Sequence, residues 1–249
     1  MEAAELIEFL VGGNPGIGFL RGVWQILIEV KSRLFGNLRI RCLFQPDIND
    51  QVKAIKQSFR QMMDGAVAQS MREKGLDYHL NWGATLPRLR QKADEIGKNY
   101  DLAIVLWKEN VRECKILATM MMPPEVVLPE VIDIWMEQTP NSEIAEQAAF
   151  NLYQYLPYAP EKAYAWIASD KELYQLCGFH ILSRLFMNGQ EPNERGINEF
   201  VDQALAALQG ESLIVRKAAM TSMQRFAELG LVYHRLAKSA IKTINLDFL

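Results

Sequence analysis

The chain has 249 residues, 49% of them hydrophobic and 23% charged, which is enough for one large folded domain with a sizeable core. Its net charge of −3 is not the footprint of a dedicated basic DNA-binding module. Three widely separated cysteines, Cys42, Cys114 and Cys177, argue against a disulfide framework and against a Cys-x-x-Cys zinc site, so neither a metal nor a cofactor is expected. The sequence has no secretory-leader pattern and no uninterrupted apolar run of the ~18 residues a membrane span needs. The expected location is cytoplasmic, with no part in the membrane.

Residues 1–46 do not share the pattern of the rest. Gly12, Gly13, Gly16 and Gly18 mark a loop, but no strand precedes it and no Lys-Ser/Thr follows, as a phosphate-cradling turn requires. Residues 19–30 read as a helix and 39–44 as an extended piece. This segment stands apart as an N-terminal appendage, with residues 47–249 as the main domain.

From residue 48 the period is helical. Ile48, Val52, Ile55, Phe59, Met62, Met63 and Val67 fall at three- and four-residue spacings, which predicts one amphipathic helix over 47–71. A polar loop follows, with Pro87 placed for the first turn of a helix that ends at Gly97. Further helices are expected over 101–107, 111–122, 127–138, 142–155, 160–168, 171–187, 193–208, 212–229 and 232–244, with Gly, Pro, Asn or Ser at the joints. No stretch alternates in the manner of a strand. Short helices joined by short turns favour antiparallel neighbours. So many helices cannot share one bundle core, whereas stacked pairs can, each burying a face on the next. The fold class is therefore all-α, a superhelix of antiparallel helix pairs.

Charge is unevenly spread. Residues 51–115 hold twelve Lys/Arg against eight Asp/Glu, and residues 116–172 hold two against nine. A basic part beside an acidic one can give one face the positive potential that phosphates need. The candidate phosphate contacts are Arg88, Arg90, Lys92, Lys115, Arg216 and Lys217, with Arg88 and Lys92 one helical turn apart. Taken singly, each also fits a solvated surface charge. Trp107, Trp135 and Trp166 occupy apolar helical positions and read as core. Arg112-Glu113 reads as an ion pair to neighbouring helices, because its i,i+4 partners Lys108 and Glu109 carry like charges. None of the histidines, His79, His180 and His234, reads as a ligand or catalyst.

An ordered set of landmarks resembles the DNA alkylation repair enzyme family. It starts with Asn81-Trp82-Gly83, Leu86-Pro87, Leu106-Trp107, Val111-Arg112-Glu113 and Leu117-Ala118, and continues with Ile134-Trp135 and Asn141-Ser142-Glu143-Ile144-Ala145-Glu146-Gln147. Weaker matches follow at Trp166-Ile167, Leu173-Tyr174 and Arg216-Lys217-Ala218, so the likeness covers about residues 50–230. The resemblance implies a right-handed α–α superhelix of HEAT-like repeats with a positively charged concave groove for duplex DNA.

It also implies a chemistry. Glycosylases of the family release N3- or N7-alkylated purines, using a carboxylate near the sugar and aromatic faces around the cationic base. Aligned on Asn141, the family's catalytic aspartate falls on Glu146 and its neighbouring tryptophan on Ser142. One extra methylene moves a carboxylate by about 1.5 Å, and serine offers no π face. Tyr174-Gln175-Leu176-Cys177 stands where the family has tryptophan and paired arginines, and Ala219-Met220-Thr221-Ser222 where a second aromatic is expected. Three readings follow. The first is a DNA-binding protein with a degraded catalytic constellation, on duplex or damaged DNA. The second is an active glycosylase using Glu146. The third is a helical scaffold for a protein partner.

Overall fold

A computed structural model describes residues 47–245, and the compact unit that begins at Ile48 contains every helix discussed below. The glycine loop at 12–18, the helix and extended piece expected over 19–30 and 39–44, and Cys42 lie outside the described residues.

Helix α1 (Ile48–Phe59) buries Val52, Ile55 and Phe59 as one stripe. The expected helix over 47–71 is in fact two. A 3-10 turn (Arg60–Met62) intervenes, and Asp64 takes an extended conformation ahead of α2 (Gly65–Glu73). The Asp64 carboxylate accepts the Val67 N–H at 3.1 Å, so a strong N-cap opens a new helix where periodicity alone would continue the old one.

The remaining helices follow the punctuation closely. They are α3 (Leu86–Ile96), α4 (Tyr100–Lys108), α5 (Arg112–Met121), α6 (Pro129–Glu137), α7 (Ser142–Asn151), α8 (Ala159–Ile167), α9 (Glu172–Met187), α10 (Glu194–Gln209), α11 (Leu213–Ala227) and α12 (Leu231–Thr243). A second 3-10 turn, Tyr153–Tyr155, shortens the helix expected over 142–155. Among the described residues the β structure is limited to one isolated bridge, Leu80 to Val111.

Helices α3, α5, α7, α9 and α11 each pack on the next and form one layer. A second layer backs it: α4 lies on α5, α8 on α9, and both α10 and α12 on α11. Two glycines permit the closest approaches. A Cβ on Gly178 of α9 would stand 2.8 Å from the Ala163 carbonyl oxygen of α8, so the two backbones cross at that point. Gly83 has φ +73°, and a Cβ there would fall 2.1 Å from the Asp64 carbonyl oxygen.

The core is aromatic at both ends. Trp107 and Trp135 lie parallel with ring centroids 4.3 Å apart. Phe186, Phe200 and Phe226 join α9, α10 and α11 at 5.0–5.5 Å. Trp107, Trp135 and Trp166 are all buried, as their apolar helical positions imply. Cys114 and Cys177 are buried free thiols, and burial pushes Cys114 up to about 12. Such thiols are poor nucleophiles. No helix among the described residues is long and apolar enough to cross a membrane.

Candidate nucleic-acid interface

Antiparallel pairing makes the front-layer helices parallel to one another, so their N-termini share one rim and their C-termini the other. The N-terminal rim is closed by a buried polar network. Arg112, 1% exposed, donates from Nε and Nη2 to the two Glu143 oxygens at 2.9 and 2.6 Å, a bidentate pair between α5 and α7. Its Nη1 donates to the Ala84 carbonyl (2.9 Å) and to Glu113 (3.2 Å). Glu113 Oε1 also accepts the Trp82 and Ala84 N–H groups at 3.1 and 3.2 Å, which ties down the loop before α3. The Tyr78 hydroxyl donates to Glu143 and lies 3.1 Å from Asn141 Oδ1. Asn141 caps α7 by accepting the Ile144 N–H at 3.2 Å.

Burial alone would raise the Glu143 pKa, but the hydrogen bonds and charge of Arg112, helped by the Tyr78 hydroxyl, hold it below the usual carboxylate value. Every charge here has a protein partner. The ion pair expected at Arg112-Glu113 is present, and it staples α5 to α7 and to the loop before α3.

Among the described residues the C-terminal rim is open. A cleft of about 560 Å³ lies between the ends of α3, α5 and α7. Its walls carry Arg90, Asp94 and Lys98 on one side and Phe150, Asn151 and Tyr155 on the other, with Met120 of α5 between them. Every other residue of α5 is buried, so the layer dips there between its neighbours. The Lys98 ammonium donates to the carbonyls of Met120 (2.9 Å) and Met122 (3.2 Å), where a cation suits a helix C-terminus. Burial lowers its pKa, partly offset by Glu125.

Next along the free face, Glu146 of α7 meets His180 of α9. Glu146 Oε1 stands 3.5 Å from His180 Nε2, and that nitrogen makes no hydrogen bond among the described residues. One turn later, the Arg184 guanidinium sits over the Phe150 ring at 4.2 Å, and His180 meets the same ring edge-on at 5.0 Å.

The six expected phosphate contacts are therefore separated. Arg90 lines the cleft, unpaired among the described residues. At 100° per residue, Arg88 and Lys92 fall on the opposite flank of α3 from Arg90, with the buried Leu89 and Ala93 between the two flanks. Lys92 is also paired with Glu95 at 3.1 Å. Lys217 joins Thr221 and Gln224 on the free arc of α11, whereas Arg216 lies on that helix's flank. Lys115 requires correction. It is only 8% exposed, donates to the Trp107 carbonyl at 2.8 Å and covers the Trp107 ring at 4.6 Å, so it belongs to the core. Burial lowers its pKa. Lys98, Arg184, Phe150, Tyr155 and His180 were not anticipated as site residues. His180 and Arg184, one turn apart on α9, offered the one sequence signal.

The model of the DNA alkylation repair enzyme family matches residues 55–230, and the chain belongs to that family. Its fold is that of HEAT-like repeats. A solved structure described as belonging to "a new family of proteins related to the HEAT-like repeat DNA glycosylases with affinity for branched DNA structures" superposes with a TM-score of 0.70. The two chains are 17% identical over 76% of this chain and 81% of the other. None of the curated proteins matches the sequence.

Proposed function

We propose that the chain binds DNA across the free face of its front layer and does not excise cationic bases. One observation carries the reading: Arg90, Lys98, Arg184 and Lys217 are distributed from α3 to α11 on the one face that the second layer leaves uncovered. Four interhelix steps of 8–10 Å make that span roughly 32–40 Å, about one turn of duplex DNA. The structural relative's affinity for branched DNA points the same way, and so does family membership.

Electrostatics opposes excision. Glu146 stands on the free face with its side chain 42% exposed, so a DNA backbone can reach it. The nearest ring on α7 is Phe150, and a guanidinium already occupies one face of it. An N3- or N7-alkylated purine is itself a cation, so Arg184 repels the lesion that an aromatic cradle would attract. Ser142 supplies no second ring. Glu146 as an excising carboxylate is therefore the weaker of the two readings.

The test is a salt titration of binding to duplex and four-way-junction DNA, paired with a base-release assay on methylated DNA. Four phosphate contacts predict a slope of log K against log salt of about −3 to −4 on duplex DNA. A slope near zero would exclude a phosphate-binding face and leave the protein-scaffold reading. Release of 3-methyladenine or 7-methylguanine that disappears in Glu146→Gln would establish the glycosylase instead.

A further inference from the structure

We infer that the cleft at the C-terminal rim takes one unpaired nucleotide of a branched or gapped DNA, with a preference for bases bearing an exocyclic amino group. This rests on the reading of the free face as a DNA surface and names which part of the DNA the rim receives.

Size and stacking both suit a single unpaired base. At about 560 Å³ the cleft falls within the roughly 300–1,000 Å³ range of small-ligand sites. Tyr155 is 59% exposed, an unusual state for a large ring, and its phenol has no partner among the described residues. The backbone that carries it is fixed, because the Tyr155 N–H donates to the Leu152 carbonyl at 3.0 Å within the 3-10 turn. A preset exposed ring suits an unpaired base, whose face is free. A paired base inside a duplex has both faces covered by its neighbours.

The cleft also keeps hydrogen-bond capacity on both walls. Lys98 spends two of its three N–H donors on the Met120 and Met122 carbonyls, which aims the ammonium and leaves one donor. Arg90 makes no ion pair and keeps its whole fork. These two supply cations for a phosphate. On the far wall, Asn151 Nδ2 donates to Thr119 Oγ1 (3.1 Å) and Gln147 Oε1 (3.3 Å). Thr119 gives its own proton to the Ile116 carbonyl at 2.7 Å, so the amide orientation is fixed and Asn151 Oδ1 remains an acceptor. Asp94 adds a carboxylate without an ion-pair partner. The Asn151 acceptor beside the Tyr155 ring, with Asp94 as a second acceptor across the cleft, fits the amino groups of adenine and cytosine better than thymine, which has no amino group.

Duplexes carrying a short single-stranded flap of oligo-dA, oligo-dC or oligo-dT test this, measured beside the same duplex without a flap. The full-length chain should bind the dA and dC flaps on the order of tenfold more tightly than the flapless duplex, and the dT flap less tightly than either. Tyr155→Ala should bring the ratio of flapped to flapless affinity down to about one, and Tyr155→Phe should retain the gain, because the ring and not the hydroxyl stacks. Asn151→Leu should level the three flaps. Equal affinity for flapped and flapless duplex would overturn the inference while leaving the duplex-binding proposal intact. Tight flap binding with no salt-dependent binding to flapless duplex would do the reverse. A Tyr155→Ala variant that weakens all DNAs alike would also overturn it, because Tyr155 would then be a general contact.

Discussion

The two rims of the front layer use similar residues to opposite ends. At the N-terminal rim Arg112, Glu113, Glu143 and Tyr78 are consumed by one another, and none of these four is left to offer a ligand. At the C-terminal rim Arg90, Asp94 and Tyr155 have no ion pair or hydrogen-bonded side-chain partner among the described residues, and Lys98 is held only by backbone carbonyls. A charge becomes available for recognition when the fold leaves its donors or acceptors unspent. It becomes architecture when the fold uses them all. The family landmark Arg112-Glu113 falls in the second class.

The largest effect expected from this contrast is on stability. Arg112→Ala strands two carboxylates in or near the core and should cost about 3–5 kcal/mol, read as a lowered denaturant midpoint. At a temperature where the variant remains folded, its affinity for DNA should match that of the unmodified chain. A selective loss of DNA binding would erase the distinction between the rims.

Acid should act on the same network. Because the Glu143 pKa is lowered in the folded state, the pair's contribution is fully present above the unfolded carboxyl value of roughly 4.3. It is lost as pH falls through the lower folded value. The thermal midpoint should thus be flat from neutral pH to about 5 and drop steeply below about 4. Glu143→Gln should be less stable at pH 7 and show a shallower acid limb. An unchanged limb would mean that other carboxylates govern acid unfolding.

The smallest effects belong to the surface cations. Arg90→Ala and Lys217→Ala should each reduce the salt slope of duplex binding by about 1, with stability unchanged. Arg88→Ala, on the far flank of α3, should leave the slope alone. An equal loss from Arg88→Ala would place DNA on the wrong side of that helix.

Most of the fold was legible in the sequence, since each helix carried a cap, a proline or a glycine near its ends. Residues 47–71 look continuous in sequence because Asp64-Gly65 carries little weight against seven apolar positions in phase. A single side-chain cap decided the matter. The site was less legible. The spacing of Arg88 and Lys92 was correct, but their flank follows from where Leu89 and Ala93 are buried, and Arg90 lies across that boundary. Lys115 sits on a helix buried nearly all round, where no polar arc marks an outer face. Lys98, Asn151 and Tyr155 meet only because three parallel helices end at one level, and no local pattern encodes that.

The parallel pair Trp107 and Trp135 has a practical consequence. Two indoles face to face at 4.3 Å, with a 4° angle between their planes and a Lys115 ammonium over one of them, couple their excited states. The molecule thereby carries an optical reporter of its own. Near-ultraviolet circular dichroism should track the packing of α4 on α6, with both rings buried away from the solvent where DNA would sit.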